Sequence, residues 1–412
     1  MTPAVRVLDP SEWDTWYATL ERAFGGVEEP DEKRALWRDL TEYPRSLGVW
    51  DGPDCVGTAG AFSFRVVVPG GAVVPAAGVT MVSVAATHRR RGLLTTMMRR
   101  QLADVRARDE PLALLTASEP AIYGRFGYGV GALHLSLEID TDRVRWTVPE
   151  GADDVRLRFV RPVAAGGACE AVYARVAARR PGMLPRGPGS PWQRLPLLDT
   201  PAERQGGSPL QCVLAERAGN VVGFARFHHR PAWDADGPTG TIALRDLEAL
   251  EPAAYAALWR FLCSIDLTTS VVARNRPVDD AVQHLASDIR RCRVRVRDGL
   301  HVRLVDVGAA LAARAYRVPL DVVLDVVDDF CPWNTGRWRL TAEPGRDARC
   351  ERTTDPADLA LPVTALGAAY LGGWTLESLA GAGRVREERD GALARATVAF
   401  GSDVAPWLPH GF

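Results

Sequence analysis

Hydrophobic and polar positions change between two periods along the first third of the chain, and each period predicts one kind of element. Short apolar runs predict strands, whereas apolar residues three and four positions apart predict helices. Within residues 1–134, strands are predicted at 5–8, 47–50, 55–68, 73–85 and 112–116, and helices at 13–24 and around Leu36. This succession is typical of an α/β unit with a mixed sheet.

Similar signals recur over residues 135–298. Strands are predicted at 135–138, 155–159, 212–215 and 221–228, helices at 253–263 and 278–289, and a Pro- and Gly-rich loop at 180–191. The hairpin predicted around Ala218-Gly219-Asn220 is similar to the one around Asp51-Gly52-Pro53. We therefore interpret this segment as a diverged duplicate of the first segment.

The pattern changes again from residue 299 onwards. Strands are predicted at 301–305, 322–330 and 336–342, helices at 307–316, 355–371 and 375–380, and a last apolar segment at 393–400. This mixture predicts an α+β domain. The 412 residues exceed one ordinary core of about 150 residues. The fold class is therefore α/β with α+β character, in three domains over residues 1–134, 135–298 and 299–412.

The segment from Met81 to Arg100 joins an apolar strand, a turn with three consecutive arginines and an amphipathic helix. The helical spacing of apolar residues begins at Leu93, so the helix should start near Gly92. The first amides of a helix carry partial positive charge, and the arginines at 89–91 add to it. A phosphate or pyrophosphate would balance this charge, and Gly92 would let it approach closely. The alternative is a solvated basic surface or an interdomain salt bridge.

Composition excludes some classes of protein. The net charge is -1, with 47% hydrophobic and 25% charged residues, so no overall charge favours nucleic acid as a partner. Lys33 is the sole lysine and does not stand in a Gly-Lys-Ser/Thr motif, which excludes an ordinary P-loop enzyme. The use of arginine in place of lysine indicates a high-GC, actinobacterial genome.

The cysteines and the apolar runs bear on location. Seven cysteines are scattered without C-x-x-C spacing, which favours a reducing, cytoplasmic location. Neither a signal-peptide core nor an apolar run of about 18 residues occurs, so we expect no membrane span. His228 and His229 have no partners at metal-ligand spacing, and we expect no metal site.

The arginine turn resembles a known coenzyme-binding loop. Arg89-Arg90-Arg91-Gly92-Leu93-Leu94 is similar to the coenzyme A pyrophosphate loop of GCN5-related N-acetyltransferases (GNAT), although Leu94 replaces the usual small residue. Together with the stretch from Ser118 to Gly129 and the phenylalanine at position 412, it resembles the enhanced intracellular survival (Eis) family. This resemblance spans the chain and implies two GNAT-like domains in tandem followed by a sterol-carrier-like domain.

The resemblance also implies roles for individual residues. Acetyl transfer needs a donor for the carbonyl oxygen and an acid for the thiolate, roles that fall to the Val84 N–H and the Tyr123 hydroxyl. The α-carboxylate of Phe412 would be the base, with His410 or an inert tail as alternatives. The resemblance further implies that the coenzyme contacts Val82, Ser83, Val84, Arg89, Arg90, Arg91, Gly92, Leu93, Leu94, Thr95, Ser118 and Glu119.

The acceptor amine has weaker candidates. Glu28, Glu29 and Asp31 with Trp37 would form an acidic, aromatic rim for a polyamine, but the exposed start of a helix explains these acids equally well. The substrate-binding candidates are Phe24, Glu28, Trp37 and Met81.

The expected function is an acetyl-CoA-dependent N-acetyltransferase that acts directly, through a ternary complex and without a metal. The resemblance implies cationic polyamines such as aminoglycosides as substrates, with several amines acetylated, and also lysine side chains. It further implies a homo-hexamer. The alternatives are a carrier of an apolar ligand, which needs a large apolar cavity under residues 359–371, and a coenzyme A-binding protein without catalysis.

Overall fold

The computed structural model describes residues 3–412 of the chain. Its strands are β1 Ala4–Val7, β2 Leu47–Asp51, β3 Asp54–Val67, β4 Val73–Val84, β5 Leu112–Thr116, β6 Gly129–Val130, β7 Leu133–Asp140, β8 Arg156–Val160, β9 Gln211–Arg217, β10 Asn220–Arg230, β11 Trp233–Asp234, β12 Gly237–Pro238, β13 Gly240–Ala249, β14 Thr268–Pro277, β15 Arg295–Asp298, β16 Leu300–Leu304, β17 Leu320–Val327, β18 Gly336–Ala342, β19 Arg349–Arg352, β20 Leu359–Pro362 and β21 Arg386–Glu387. Its helices are α1 Trp13–Ala23, α2 Asp31–Leu40, α3 Leu93–Arg106, α4 Pro162–Ala177, α5 Pro201–Arg204, α6 Pro252–Leu262, α7 Val282–Leu285, α8 Val307–Ala312, α9 Val363–Ala369, α10 Leu376–Gly381 and α11 Ala392–Phe400.

The chain divides into two compact units. Of the described residues, 3–132, 180–184 and 298–412 form one unit, and 133–179 and 185–297 form the other. None of the helices in residues 3–412 combines the length and the apolarity that crossing a membrane requires.

The first unit contains a seven-stranded mixed sheet in the order β1-β2-β3-β4-β5-β16-β6. Helix α3 covers one face because its apolar residues recur at helical spacing and are buried there, namely Leu93, Met97, Met98, Leu102 and Val105. The parallel pairing of β4 with β5 extends only from Ala76 opposite Leu112 to Gly78 opposite Leu114. Beyond Gly78 the two strands separate, and the rest of β4 is paired with β3 alone.

Strand β16 completes this first sheet, although it was predicted within the third segment. It pairs antiparallel with β5, Leu300 opposite Thr116, and with β6 on its other side. Glycines allow helix α9 to pack directly on these strands. A Cβ atom on Gly129 would lie 2.1 Å from the carbonyl oxygen of Thr364, and one on Gly367 would lie 2.4 Å from that of Val302. Only glycine permits so close a contact between backbones.

The C-terminal part of the first unit is a five-stranded sheet in the order β19-β18-β17-β20-β21. A buried ion pair joins it to the first sheet. Arg303 on β16 donates to both carboxylate oxygens of Asp328, at 2.9 and 2.7 Å, and both side chains are almost fully buried. Asp328 also accepts from the Cys331 amide and from the Asn334 side chain. These bonds satisfy the carboxylate, which offsets the cost of burying its charge.

The second unit is built on another seven-stranded mixed sheet, in the order β15-β7-β14-β13-β10-β9-β8. Strands β13 and β14 are parallel, and their pairing ends at Leu244 opposite Ala273. Helix α6 buries Ala254, Leu258 and Trp259 in the core of this sheet. The hairpin of β9 and β10 is the one predicted around Ala218-Gly219-Asn220.

The mixed α/β architecture is confirmed, but some predicted elements are wrong. The helix predicted at 355–371 is a strand, β20, followed by a helix that begins only at Val363. Pro362 explains the boundary, because proline is tolerated at a helix start and not inside one. The helix predicted at 278–289 is a short turn of helix, α7. The helix at 162–177 and the strands at 240–249 and 268–277 were not predicted.

Replacing Asp328 by Ala should lower the free energy of unfolding by about 3–5 kcal/mol, because it leaves the Arg303 guanidinium buried without its partner. Urea unfolding followed by circular dichroism measures the change. The control is Asp321→Ala, which removes the partner of Arg339 in a pair with both side chains about half exposed. That variant should unfold at nearly the wild-type urea concentration. Equal effects of the two substitutions would contradict a structural role for the buried pair.

Candidate active site

A cavity of ≈ 770 Å³ lies in the first unit, beside the part of β4 that has separated from β5. Three groups of residues line it. The first group comes from β4, the turn after it and the start of α3, and contains Thr80, Met81, Val82, Ser83, Val84, His88, Arg89, Arg90, Gly92, Leu93, Leu94 and Thr95. The second comes from β5 and the segment after it, and contains Thr116, Ser118, Glu119, Ile122, Tyr123 and Arg125. The third comes from the region of α1 and α2 and from the last residue, and includes Tyr17, Glu21, Phe24, Glu29, Trp37 and Phe412.

Strand β4 presents backbone groups to this cavity. A bulge interrupts its pairing with β3, since Gly60 pairs with Thr80 and Thr58 pairs with Ser83. Two residues of β4, Met81 and Val82, therefore stand opposite one residue of β3, and Met81 has a positive φ of 53°. The bulge redirects the strand just before Val84. An extended ligand can add to this open edge through backbone hydrogen bonds.

The arginine turn leads directly into helix α3. Arg90 and Gly92 have positive φ values of 62° and 79°, and the helix begins at Leu93, as predicted. Within the described residues no side chain caps the helix start, and its first turn contains no acid. Arg89, Arg90 and Arg91 are exposed, and Arg91 donates to the carbonyl of Thr87. The free amides and the guanidinium groups together favour an anion.

Tyr123 lies in a short 3-10 segment, Pro120–Phe126, that follows β5. Its ring is half-buried and packs edge-on against Phe126 and Tyr128. Burial, with a smaller contribution from the Glu119 carboxylate, raises the pKa of the Tyr123 hydroxyl. The hydroxyl therefore keeps its proton at neutral pH, which is the form a general acid needs.

Phe412 lies on the same cavity, although it is distant from Tyr123 in sequence. Its backbone oxygen, which at this last residue belongs to the α-carboxylate, accepts a hydrogen bond of 2.9 Å from the Thr80 hydroxyl. Its ring packs edge-on against Phe64, with 4.9 Å between the ring centroids. The preceding segment is held by residues 180–184 of the same unit, since the Trp407 amide donates to the carbonyl of Pro181. His410 is half-buried and contacts the carbonyl of Gly411.

The far wall of the cavity is aromatic and acidic. The Tyr17 hydroxyl donates to Glu29, and Lys33 forms an ion pair with Glu29 at 2.9 Å. Arg34 pairs with Glu21 at 2.6 Å. Burial and these carboxylates raise the pKa of Tyr17, so its hydroxyl remains a donor. Each of the two carboxylates is thus already paired with a basic side chain, and the aromatic faces of this wall are the groups that can bind a further cation.

Most residues predicted from the sequence line the cavity, but four do not. Among residues 3–412, Glu28, Asp31, Arg91 and His410 are absent from the lining, and Glu28 is exposed. Glu29, its neighbour, occupies the wall because the Tyr17 bond draws it inward. Thr80, Thr116, His88 and Tyr17 were not identified from the sequence. An alternation of Thr80 with Val82 and Val84 along the strand was the one available signal for Thr80.

In the second sheet, the parallel strands β13 and β14 also separate, but a side chain fills the space between them. Beyond the last pair of β13 and β14, the Arg276 guanidinium donates to the carbonyl of Leu247 at 2.8 Å. Asp280 holds the same guanidinium at 2.7 Å, and both side chains are buried. A buried side chain therefore occupies the position that is open in the first sheet.

Three family models match successive parts of the chain. Residues 4–131 and residues 182–304 each match an acetyltransferase (GNAT) domain, and residues 307–409 match a sterol carrier protein domain. The N-acetyltransferase Eis of Mycobacterium tuberculosis is 33% identical over 419 residues, which cover 97% of this chain and 98% of the relative. The chain belongs to the Eis family of GNAT acetyltransferases.

Further similarities agree with this family. Eis1 from Mycobacterium abscessus has a crystal structure with a TM-score of 0.82 and 31% identity, covering all of both chains. An N-acetyltransferase of Streptomyces avermitilis, described as uncharacterized, is 65% identical over 412 residues, the full length of both proteins. The predicted Eis-family resemblance and the tandem GNAT domains with a sterol-carrier-like domain are confirmed. The protein is an N-acetyltransferase, and GNAT acetyltransferases use acetyl-CoA.

No three His, Cys, Asp or Glu side chains within residues 3–412 form a group that could hold a metal ion. The candidate site is formed by four parts of the cavity lining: the edge of β4, the start of α3, Tyr123 and the wall around Glu29.

Gly92→Ala should lower the free energy of unfolding by about 1–2 kcal/mol, because an L-residue is strained in left-handed backbone. The added Cβ meets nothing within 4 Å, so crowding does not contribute. Urea unfolding measures the change. The matched control is Gly124→Ala, where the Cβ also meets nothing within 4 Å and the backbone is not left-handed. A loss of the same size in the control would show that the conformation of Gly92 is not the cause.

Proposed function

We propose that this enzyme transfers acetyl groups from acetyl-CoA to primary amines of cationic polyamines such as aminoglycosides, with several amines of one acceptor as substrates, and also to lysine side chains. The observation that carries the proposal is that one cavity joins the open edge of β4, the arginine turn, Tyr123 and the acidic wall at Glu29. A donor with an amide-containing arm and a pyrophosphate suits the edge of β4 and the arginine turn, and a cationic acceptor suits the wall at Glu29.

The open edge and the helix start fit coenzyme A. The backbone of Val82, Ser83 and Val84 has no strand partner on the β5 side among the described residues, so it is available to the amides of a pantetheine arm. Arg89, Arg90, Arg91 and the amides of Gly92, Leu93, Leu94 and Thr95 would bind the pyrophosphate. Ser118 and Glu119 line the cavity opposite and would contact the coenzyme. The coenzyme supplies an activated acetyl thioester when bound.

In the proposed reaction the protein groups act in one direct transfer. The carboxylate of Phe412 accepts a proton from the acceptor ammonium, so that the amine can attack. The Val84 N–H donates to the carbonyl oxygen while negative charge develops there. As the C–N bond forms and the C–S bond breaks, Tyr123 donates its proton to the departing sulfur, and the acylated nitrogen then releases its remaining surplus proton, which reprotonates Tyr123. The raised pKa of Tyr123 supports this assignment.

The acceptor is proposed from the wall opposite the coenzyme edge. Phe24, Trp37 and Met81 line the cavity beside Glu21 and Glu29. An acceptor with several ammonium groups can place one of them against these aromatic faces, in exchange for Lys33 at Glu29, while another lies at the reacting centre. Glu28, at the exposed rim, would add to the negative potential. A homo-hexamer belongs to the same proposal on the resemblance alone, and a cytoplasmic location on the scattered cysteines.

The alternative of an apolar carrier has no support in the C-terminal sheet. The side chains of Leu359, Leu361, Val363, Leu366 and Leu371 are buried. The groove recorded on this sheet is polar, with Asp321, Arg339, Asp355 and Arg389 among its lining residues. An apolar ligand would find charged groups there.

The acceptor class is tested by thiol release from acetyl-CoA with kanamycin, spermine and a lysine-containing peptide. Wild-type enzyme should turn over at least one of them, and Tyr123→Phe should lower kcat by about 100-fold or more while the Kd of coenzyme A stays unchanged. Tyr43→Phe is the control, because Tyr43 packs against the cluster at Trp16 and Tyr17 rather than at the reacting centre. Coenzyme binding with no turnover of any amine would favour the non-catalytic alternative.

Deleting Phe412 should lower kcat by about 100-fold or more, because the carboxylate then lies one residue away from Thr80. Phe412→Leu keeps a carboxylate at this position and should retain most of the activity. Thiol release with kanamycin at saturating acetyl-CoA measures both. His410→Ala tests the alternative base. If that variant loses turnover and the deletion of Phe412 does not, His410 is the group that accepts the proton of the acceptor ammonium.

A further inference from the structure

The bulge in β4 places a side chain in a costly conformation. Met81 is one of the non-glycine residues with a positive φ, and an L-residue there costs about 1–2 kcal/mol. Such a conformation persists only where neighbouring groups hold it. Two buried polar side chains, Thr58 and Gln101, contact the backbone at this bulge.

Thr58 on β3 holds the residue at the centre of the bulge. Its side chain is fully buried, and its hydroxyl donates to the carbonyl oxygen of Met81 at 2.6 Å. The same hydroxyl oxygen lies 2.7 Å from the hydroxyl oxygen of Ser83. A hydroxyl has one hydrogen, so Thr58 must accept the proton of Ser83. The result is a directed chain from Ser83 through Thr58 to the carbonyl of Met81.

This chain has a consequence for the ligand edge. The hydroxyl proton of Ser83 points into the sheet, so Ser83 can donate to a ligand only through its backbone. The carbonyl of Met81 is likewise turned towards β3. Thr58 thus determines which backbone groups of the following residues, Val82 to Val84, face the cavity.

Gln101 braces the same place from helix α3. Its side-chain nitrogen donates to the carbonyl oxygen of Gly60 at 2.9 Å, and Gly60 is the β3 partner of Thr80 at the edge of the bulge. Gln101 is buried. The helix that starts at the arginine turn is therefore hydrogen-bonded to the strand pair next to the open edge of β4.

We propose that Thr58 and Gln101 are positioning residues for the coenzyme: Thr58 holds the bulge that orients the Val82–Val84 edge, and Gln101 holds that edge in register with the anion-binding start of α3. The inference rests on the proposed coenzyme site. Neither Thr58 nor Gln101 lines the cavity, so both would act through the backbone groups that they hold.

The test compares two probes by isothermal titration. Coenzyme A needs both the strand edge and the arginine turn, whereas adenosine 3′,5′-bisphosphate has phosphates but no pantetheine arm. Thr58→Val keeps the shape of the side chain and removes the hydroxyl. It should weaken coenzyme A about tenfold, as expected for the loss of one buried hydrogen-bonding group, and change the affinity for the bisphosphate less than twofold. Thr58→Ser should restore coenzyme binding to within about threefold.

A second variant links the effect to the bulge. Glycine adopts positive φ without strain, so Met81→Gly in the Thr58→Val background should recover part of the lost affinity for coenzyme A. Gln101→Met gives an independent measurement and should also weaken coenzyme A. Because Gln101 acts on helix α3, its loss should weaken the bisphosphate as well. All titrations are run on the full chain, well below the unfolding temperature of each variant.

The outcomes separate this inference from the proposed function. If wild-type protein binds coenzyme A and both Thr58→Val and Gln101→Met bind it equally well, the positioning role is wrong. If Thr58→Val weakens the two probes to the same extent, Thr58 acts by general stability and the assignment is overturned. If wild-type protein binds neither probe, the coenzyme site itself is wrong.

Discussion

The separation of β4 from β5 after Gly78 is the constraint on which the rest of the site depends. Parallel neighbours in a sheet satisfy each other's backbone groups, and a strand that loses its neighbour leaves a row of donors and acceptors unpaired. In an aqueous cavity such an edge can bind an extended ligand with amides of its own. The bulge at Met81 then turns the edge, and the start of α3 adds a site for negative charge a short distance further along the chain.

The second unit illustrates that this geometry alone does not make a site. Its β13 and β14 separate in the same manner, but the guanidinium of Arg276 on β14 bonds to the carbonyl of Leu247 on β13, and Asp280 pairs with that guanidinium. A buried, fully bonded ion pair is costly to disrupt, so this opening is not available to a ligand. The two GNAT-like sheets of the chain therefore differ in what occupies the place where two parallel strands separate: a cavity in the first and the Arg276 side chain in the second.

The C-terminal part of the chain contributes to the first sheet in two ways. Strand β16 enters between β5 and β6, and the buried pair of Arg303 and Asp328 fixes the sterol-carrier-like sheet against it. The tail is then held along residues 180–184 and ends at Thr80. The residue proposed as the base and the residue proposed as the acid thus come from two segments of the first unit that are distant in sequence.

Local features could be predicted from the sequence because they depend on neighbouring residues. The periods of apolar residues predicted β2, β3, β4 and β5, and the glycine after three arginines predicted the start of α3. The family resemblance identified Tyr123 and the order of domains. What depends on distant segments could not be predicted. Four features depend on contacts between segments that are distant in sequence, and the spacing of residues along the chain does not specify such partners. They are the insertion of β16, the position of Glu29 rather than Glu28 in the cavity wall, the hydrogen bond from Thr58 to Met81, and the Arg276 side chain in the second sheet.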